Sequence, residues 1–218
     1  MPSKKKIVEI CHKIYNNGYV SAYQGNVSER ISKEKFFITR SGVCKGYVSE
    51  KDILVIDING KVLEGKGKVS TESKVHLYIY KKRKEIKSVV HCHPVYSSIL
   101  SILGKGLTRH IFPEIILSLG KVPLCKYATP STEKLAESLD PYVNYSLAFI
   151  LQNHGAVTIG ETIEDAYFNM EKLERTAEIV YKANLMGKIS VLPKSKVDEL
   201  VSISKKIYDI KTDRRNIF

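Results

Sequence analysis

His91-Cys92-His93 closes the apolar run Ile86-Lys87-Ser88-Val89-Val90. The run is short and β-branched, which predicts a strand over 86–92. Residues two apart on a strand point to the same side, so both imidazoles face one way and Cys92 faces the other. The two rings then stand about 6–7 Å apart along the chain, from a rise of about 3.3 Å per residue, a spacing that suits two ligands of one metal ion. Cys92 is expected to pack into the core. A lone His-x-His also describes an ordinary strand end, so a metal site needs ligands from elsewhere in the chain.

Two other positions can supply them. Gln152-Asn153-His154-Gly155 follows the strand-like Phe149-Ile150-Leu151, and sites of α/β folds gather at strand ends. Ser70-Thr71-Glu72 opens a helical segment, where a carboxylate is favoured by the helix dipole. Taken singly, His154 is a turn histidine and Glu72 a helix-start acid. Taken with His91 and His93 they make three imidazoles and a carboxylate, a normal ligand set for a catalytic divalent metal such as zinc. Gly25-Asn26-Val27-Ser28, Ser41-Gly42 and Ser70-Thr71 add small hydroxyl and amide side chains next to glycines or a helix start. These are the ingredients of a phosphate site, although Gly-Asn and Ser-Gly are also common turn pairs.

The elements that must position these residues follow from periodicity. Apolar spacing predicts helices over 4–17, 71–83 (capped by Ser70, with Val75, Leu77, Tyr78 and Tyr80 as its stripe), 94–103, 113–119, 132–139, 162–186 and 197–207. Strands are expected over 26–31, 36–39, 53–57, 61–63, 86–92, 122–124, 148–151 and 156–160, with Asn59-Gly60 as a hairpin turn. Strands and helices interleave irregularly, which points to one layered α/β domain spanning 1–218. Its core covers about 5–190, and 191–218 form a C-terminal helix and basic tail.

Composition narrows the function classes. The 218 residues are 43% hydrophobic and 27% charged, as in an ordinary globule. No apolar stretch reaches the roughly 20 residues of a membrane helix, and the N-terminus lacks a signal peptide, so a cytoplasmic protein without a membrane partner is expected. Cys11, Cys44, Cys92 and Cys125 are scattered without a CxxC pair, as expected of reduced, individually buried thiols. The net charge of +12 raises the question of nucleic acid, but the lysines are spread out and no nucleic-acid motif accompanies them. They describe solvated helix faces, or a field that attracts an anionic small substrate.

Jointly, Gly25-Asn26-Val27-Ser28, Ile38-Thr39-Arg40-Ser41-Gly42, Ser70-Thr71-Glu72, His91-Cys92-His93-Pro94 and Asn153-His154-Gly155 resemble the class II aldolase/adducin family in order and spacing. The resemblance implies a three-layer α/β/α fold with a central, mostly antiparallel sheet, assembled as a homotetramer with sites at subunit interfaces. It implies one zinc ion per subunit, or another divalent metal, on His91, His93 and His154, with Glu72 as both ligand and acid/base. Asn26, Ser28, Ser41, Gly42, Ser70 and Thr71 match the region that holds a substrate phosphate. The implied activity is cleavage of a ketose 1-phosphate, fuculose 1-phosphate or a related deoxy-sugar phosphate, to dihydroxyacetone phosphate and an aldehyde through a metal-stabilised enediolate. Where the aldolases carry a tyrosine given by a neighbouring subunit, this chain has Glu114, as in other branches that include methylthioribulose-phosphate dehydratases. Glu114 is therefore a candidate second acid/base, and Tyr208 a candidate for the family's C-terminal tyrosine. A dehydratase, an epimerase and a non-catalytic module like the adducin head are the alternatives.

Overall fold

The structure is a computed structural model and describes residues 2–208 and 213–217, the side chain of Tyr208 excepted. Its centre is an eight-stranded sheet in the order β4-β3-β2-β1-β5-β8-β7-β6. The strands are β1 (Asn26–Arg30), β2 (Lys35–Thr39), β3 (Ile53–Asp57), β4 (Val62–Glu64), β5 (Ser88–Cys92), β6 (Leu124–Cys125), β7 (Ala148–Leu151) and β8 (Gly155–Gly160). All neighbours pair antiparallel except β6 and β7.

Helices cover both faces. On one side lie α1 (Lys4–Asn16), α3 (Val95–Ile102) and α6 (Ile163–Met186). Their apolar stripes, including Ile7, Ile10, Leu100, Met170 and Leu173, pack with Val27, Val90, Cys92 and Ala156 of the sheet. On the other side, α2 (Ser73–Lys82) and α5 (Glu133–Glu137) place Val75, Ile79, Tyr80 and Leu135 against Phe36, Val89, Phe149 and Val157. Helix, sheet and helix make the three layers, each sheet face needing an apolar cover. A smaller cluster joins α4 (Pro113–Ser118) and α7 (Lys194–Tyr208) to the C-terminal segment through Ile116, Val197 and Ile217. Tyr208 ends α7, and its side chain lies outside the described residues.

Alternation along β5 sorts the first motif. Val90 and Cys92 enter the core facing α6, and Val89 enters the core facing α2, so His91 shares the α2 side. Cys92 is fully buried and, like the other three cysteines, unpaired. Cys44 is only half-buried, unlike the expected buried thiol.

Several boundaries differ from expectation. Ser70 does not cap α2 directly; its hydroxyl accepts from the Glu72 amide at 3.3 Å, and Glu72 itself holds the cap position. Tyr78 is half-exposed while His76 and Ile79 are buried, because the sheet covers the 75/76/79/80 face of the helix. The strand over 122–124 shrinks to Leu124–Cys125, since Pro123 has no amide to donate to a ladder. Both the short helix at 132–139 and the longer one at 197–207 shift their ends, to Glu133–Glu137 and Lys194–Tyr208. No described helix is long and apolar enough to cross a membrane.

Candidate metal centre

The three central strands β1, β5 and β8 converge on one edge. Register places Asn26 opposite His91 and His91 opposite Val157. His93 follows β5 directly, its amide donating to the Tyr19 carbonyl at 2.9 Å. The turn between β7 and β8 is made by Asn153, whose φ of 55° is left-handed and tolerable for asparagine. That turn brings His154 back over the strand ends.

Two glycines let the chain close around the histidines. Gly25 has a φ of +71°, and a Cβ on it would stand 2.7 Å from the His91 carbonyl oxygen. A Cβ on Gly155 would stand 2.5 Å from the Cys92 carbonyl oxygen and 2.7 Å from the His93 ring. Any side chain at Gly155 therefore displaces His93.

Across the site, His91, His93 and His154 form a triangle with every pair of ring centroids 4.9 Å apart. One nitrogen of each lies within 4.8 Å of the others. His91 Nδ1 faces the Ala156 carbonyl at 3.0 Å, so Nδ1 carries the proton and Nε2 offers its lone pair. Nε2 of His91 stands 3.1 Å from Nε2 of His93 and 3.3 Å from Glu72 Oε2. Glu72 Oε1 is 2.9 Å from His154 Nε2. Asn26 fixes the carboxylate by donating from Nδ2 to Oε2 at 2.8 Å.

These residues fit a divalent metal ion. Bonds of about 2.0–2.1 Å in a tetrahedron put neighbouring ligand atoms about 3.3–3.4 Å apart, and the three distances above lie close to that edge length. Two imidazole nitrogens facing each other at 3.1 Å have no reason to approach unless a cation or a proton lies between them. Burial, with His91 and His154 adding to it, pushes the His93 pKa down to about 3, so His93 is the neutral imidazole a metal requires. Burial also pushes Glu72 up, but His91 and His154 together outweigh it and hold the carboxyl well below the usual carboxylate range. His154 Nδ1 is buried without a hydrogen-bond partner among the described residues.

Beside the centre opens a cavity of about 420 Å³, lined by Asn26, Ser41, Gly42, Ser70, Glu72 and His93 together with Arg40 and Lys45. The candidate phosphate residues thus separate. Asn26, Ser41, Gly42 and Ser70 share the cavity, while Ser28 and Thr71 do not line it. Ser28 turns inward, its hydroxyl 2.6 Å from His76 Nδ1 and 2.7 Å from the Tyr80 hydroxyl. Thr71 is exposed and bonds Ser131 at 2.6 Å. Glu114 stands exposed on the first turn of α4 and is not among the cavity residues. A larger cavity, about 510 Å³, lies between α4 and the C-terminal segment, lined in part by Lys105, Arg109 and Lys121, with none of the three histidines in its wall.

Lys45 and His76 are not legible as site neighbours in the sequence. Lys45 sits in a loop, where lysines are usually solvated, and His76 interrupts an otherwise apolar helix face. One signal was available for His76: it falls four residues before Tyr80, on the buried side.

The family model for the class II aldolase and adducin N-terminal domain matches residues 5–181. An L-fuculose phosphate aldolase of Methanococcus maripaludis is 37% identical over 180 residues, covering 83% of this chain and 96% of its own. A 3-oxo-tetronate 4-phosphate decarboxylase of Haemophilus influenzae is 32% identical over 210 residues, covering 94% and 99%. A solved L-fuculose 1-phosphate aldolase superposes with a TM-score of 0.85 at 29% identity, over 94% of this chain and 98% of that one. Class II aldolases are metal-dependent, and the histidine triangle at the ends of this mostly antiparallel sheet is a group that could hold a metal ion. The chain belongs to the class II aldolase and adducin family, and it is an enzyme of the aldolase type.

Proposed function

We propose that the chain breaks the bond between the carbons α and β to the carbonyl of a small ketose 1-phosphate, fuculose 1-phosphate or a related deoxy-sugar phosphate, releasing dihydroxyacetone phosphate and an aldehyde. One observation carries this reading: His91, His93 and His154 cluster within 4.8 Å of one another around Glu72, and His93 and Glu72 stand in the wall of a cavity rimmed by small polar donors. A bound zinc or other divalent ion supplies Lewis acidity that draws electrons toward the substrate carbonyl.

The rest is done by the chain. Ser41, Gly42, Ser70 and Asn26 offer hydroxyl, backbone and amide donors to a phosphate, and Arg40 adds charge. Its guanidinium is held in place by Asp52 at 2.7 Å. Glu72, ionised and fixed by Asn26, carries the proton to or from the carbon that loses the aldehyde. Cleavage also requires a base that takes the proton from the hydroxyl becoming the aldehyde. Glu114, exposed on α4, is assigned that role in a neighbouring copy's site, within a four-fold homotetramer.

The near full-length match to a decarboxylase supports a second reading, loss of carbon dioxide from a phosphorylated 3-oxo sugar acid. The same carbon is left to be protonated by Glu72, but no hydroxyl has to be deprotonated. Release of dihydroxyacetone phosphate from a panel of ketose 1-phosphates and from 3-oxo-tetronate 4-phosphate, with zinc-loaded protein, tests both. No release from any of them, with zinc bound, would refute the lyase reading.

A further inference from the structure

Lys45 is the only buried lysine among the described residues, 1% exposed. It lies in the loop between β2 and the 3-10 turn Glu50–Asp52, and its Nζ donates to the Val43 carbonyl at 2.8 Å. Among the described residues no carboxylate comes within salt-bridge distance of it. Burial pushes its pKa down; the surrounding Cys11, Cys92, Cys44 and Glu72 oppose that push. Burial raises Cys11 to about 12 and Cys92 well above its ordinary value, so both are neutral thiols. Glu72 is the charged group among these neighbours.

A buried ammonium satisfied by one carbonyl is a cost to folding, because desolvation is offset neither by an ion pair nor by a full set of acceptors. An apolar side chain of similar length would fill the same volume without that cost. A residue that destabilises the fold at the wall of a cavity is what a selected function leaves behind. Lys45 lines the same cavity as Ser41, Gly42, Ser70, Asn26 and Glu72, three residues beyond the Ser41-Gly42 turn.

We propose that Lys45 is a specificity-determining residue: its ammonium, held by the Val43 carbonyl at the cavity wall, supplies the positive charge that selects a phosphorylated substrate over its unphosphorylated counterpart. The proposal rests on the reading of the substrate as a phosphate ester. It assigns to one buried charge, acting beside the Asp52-paired Arg40, a discrimination that neutral hydroxyl and amide donors supply only in part.

The test is calorimetric titration of inorganic phosphate, dihydroxyacetone phosphate and dihydroxyacetone into zinc-loaded wild type, Lys45→Met and Lys45→Gln. Both variants are expected to keep their zinc and to melt at or above the wild-type temperature. They should bind the two anions at least tenfold more weakly, with dihydroxyacetone affinity unchanged. Anion affinities within twofold of wild type in either variant would overturn the proposal, as would a wild type that does not bind phosphate. Failure of both variants to fold would make Lys45 a structural residue and overturn it equally. If Lys45 only offset the charge of Glu72, the variants would shift zinc affinity and leave the preference for phosphate intact. None of these titrations needs turnover. A wild type that prefers phosphate through Lys45 yet cleaves no sugar phosphate would refute the lyase and leave this assignment standing.

Discussion

Three side chains hold Glu72 at the strand ends: Asn26 Nδ2, His91 Nε2 and His154 Nε2 all lie within 3.3 Å of its oxygens. Such a carboxylate is ionised at working pH and fixed in direction, so it can take a proton from a defined carbon; to return one in the cleavage direction it must first gain it from water. Glu72→Gln keeps the size and an oxygen for Asn26 but cannot carry a proton. We expect kcat to fall about 10²–10⁴-fold in a dihydroxyacetone phosphate release assay, with little change in melting temperature. Turnover within tenfold of wild type would remove Glu72 from the chemistry. His93→Ala is expected to lose bound metal by atomic emission while keeping its circular dichroism, since His93 is half-exposed and carries little of the core. The role proposed for Glu114 gives a way to separate the two lyase readings. Aldol cleavage must deprotonate a hydroxyl and decarboxylation need not, so Glu114→Gln should abolish the first and spare the second.

At the scale of elements, the histidine triangle depends on a junction that no motif marks. α3 begins immediately after His93-Pro94, and its first amides have no partners within the helix. Glu174 of α6 supplies them, accepting from Tyr96 N at 2.7 Å and from Ser97 N and Oγ at 2.8 and 2.7 Å. A carboxylate there satisfies three donors and the positive end of the helix at once. Glu174→Ala leaves those donors buried and unpaired, a loss of about 1–3 kcal/mol, and frees the segment that aims His93. We expect a lower melting temperature together with weaker zinc binding in a chelator competition, both partly restored in Glu174→Gln. An unchanged zinc affinity would show that α3 does not position His93. Glu174 also shows where the sequence stops being readable. Strands β3 and β7 and the length of α6 are visible locally, because periodicity encodes them, whereas His91, His93, His154 and Glu72 are grouped by residue type and by the order of the family's motifs. Glu174 and Ser97 are 77 residues apart, and their pairing exists only once two helices share one face of the sheet. Ser28 illustrates the converse: motif position places it with the phosphate residues, but it lies two residues further along β1 than Asn26, where α2 covers the sheet and His76 and Tyr80 take its hydroxyl.

For the whole molecule, His76 links the buried interior to pH. It is 1% exposed, and its hydrogen bonds assign its tautomer. The Tyr80 hydroxyl donates to the Lys87 carbonyl at 3.3 Å, Ser28 then donates to Tyr80, and His76 Nδ1 donates to Ser28. Nε2 is left as a bare lone pair, buried without a partner among the described residues. Burial, aided by His91, pushes the His76 pKa down to about 3 from an ordinary value of 6.5. Between those values the unfolded chain binds a proton that the folded chain refuses, so the unfolded state gains as pH falls. The stabilisation is therefore complete above about pH 6.5 and is lost progressively toward pH 3. In scanning calorimetry from pH 8 to pH 4 on zinc-loaded protein, metal-held His91, His93 and His154 also refuse protons that the unfolded chain binds, so only comparison with a variant isolates His76. The wild-type melting temperature should stay level above pH 7 and then decline. His76→Gln can still donate to Ser28 but cannot titrate; whatever its melting temperature at pH 8, its decline toward pH 4 should be shallower. The net charge of +12 rises as carboxylates protonate, and self-repulsion adds to acid sensitivity in both proteins. That contribution cancels in the difference between the two slopes. Equal slopes would show that His76 is not the group through which the interior resists acid.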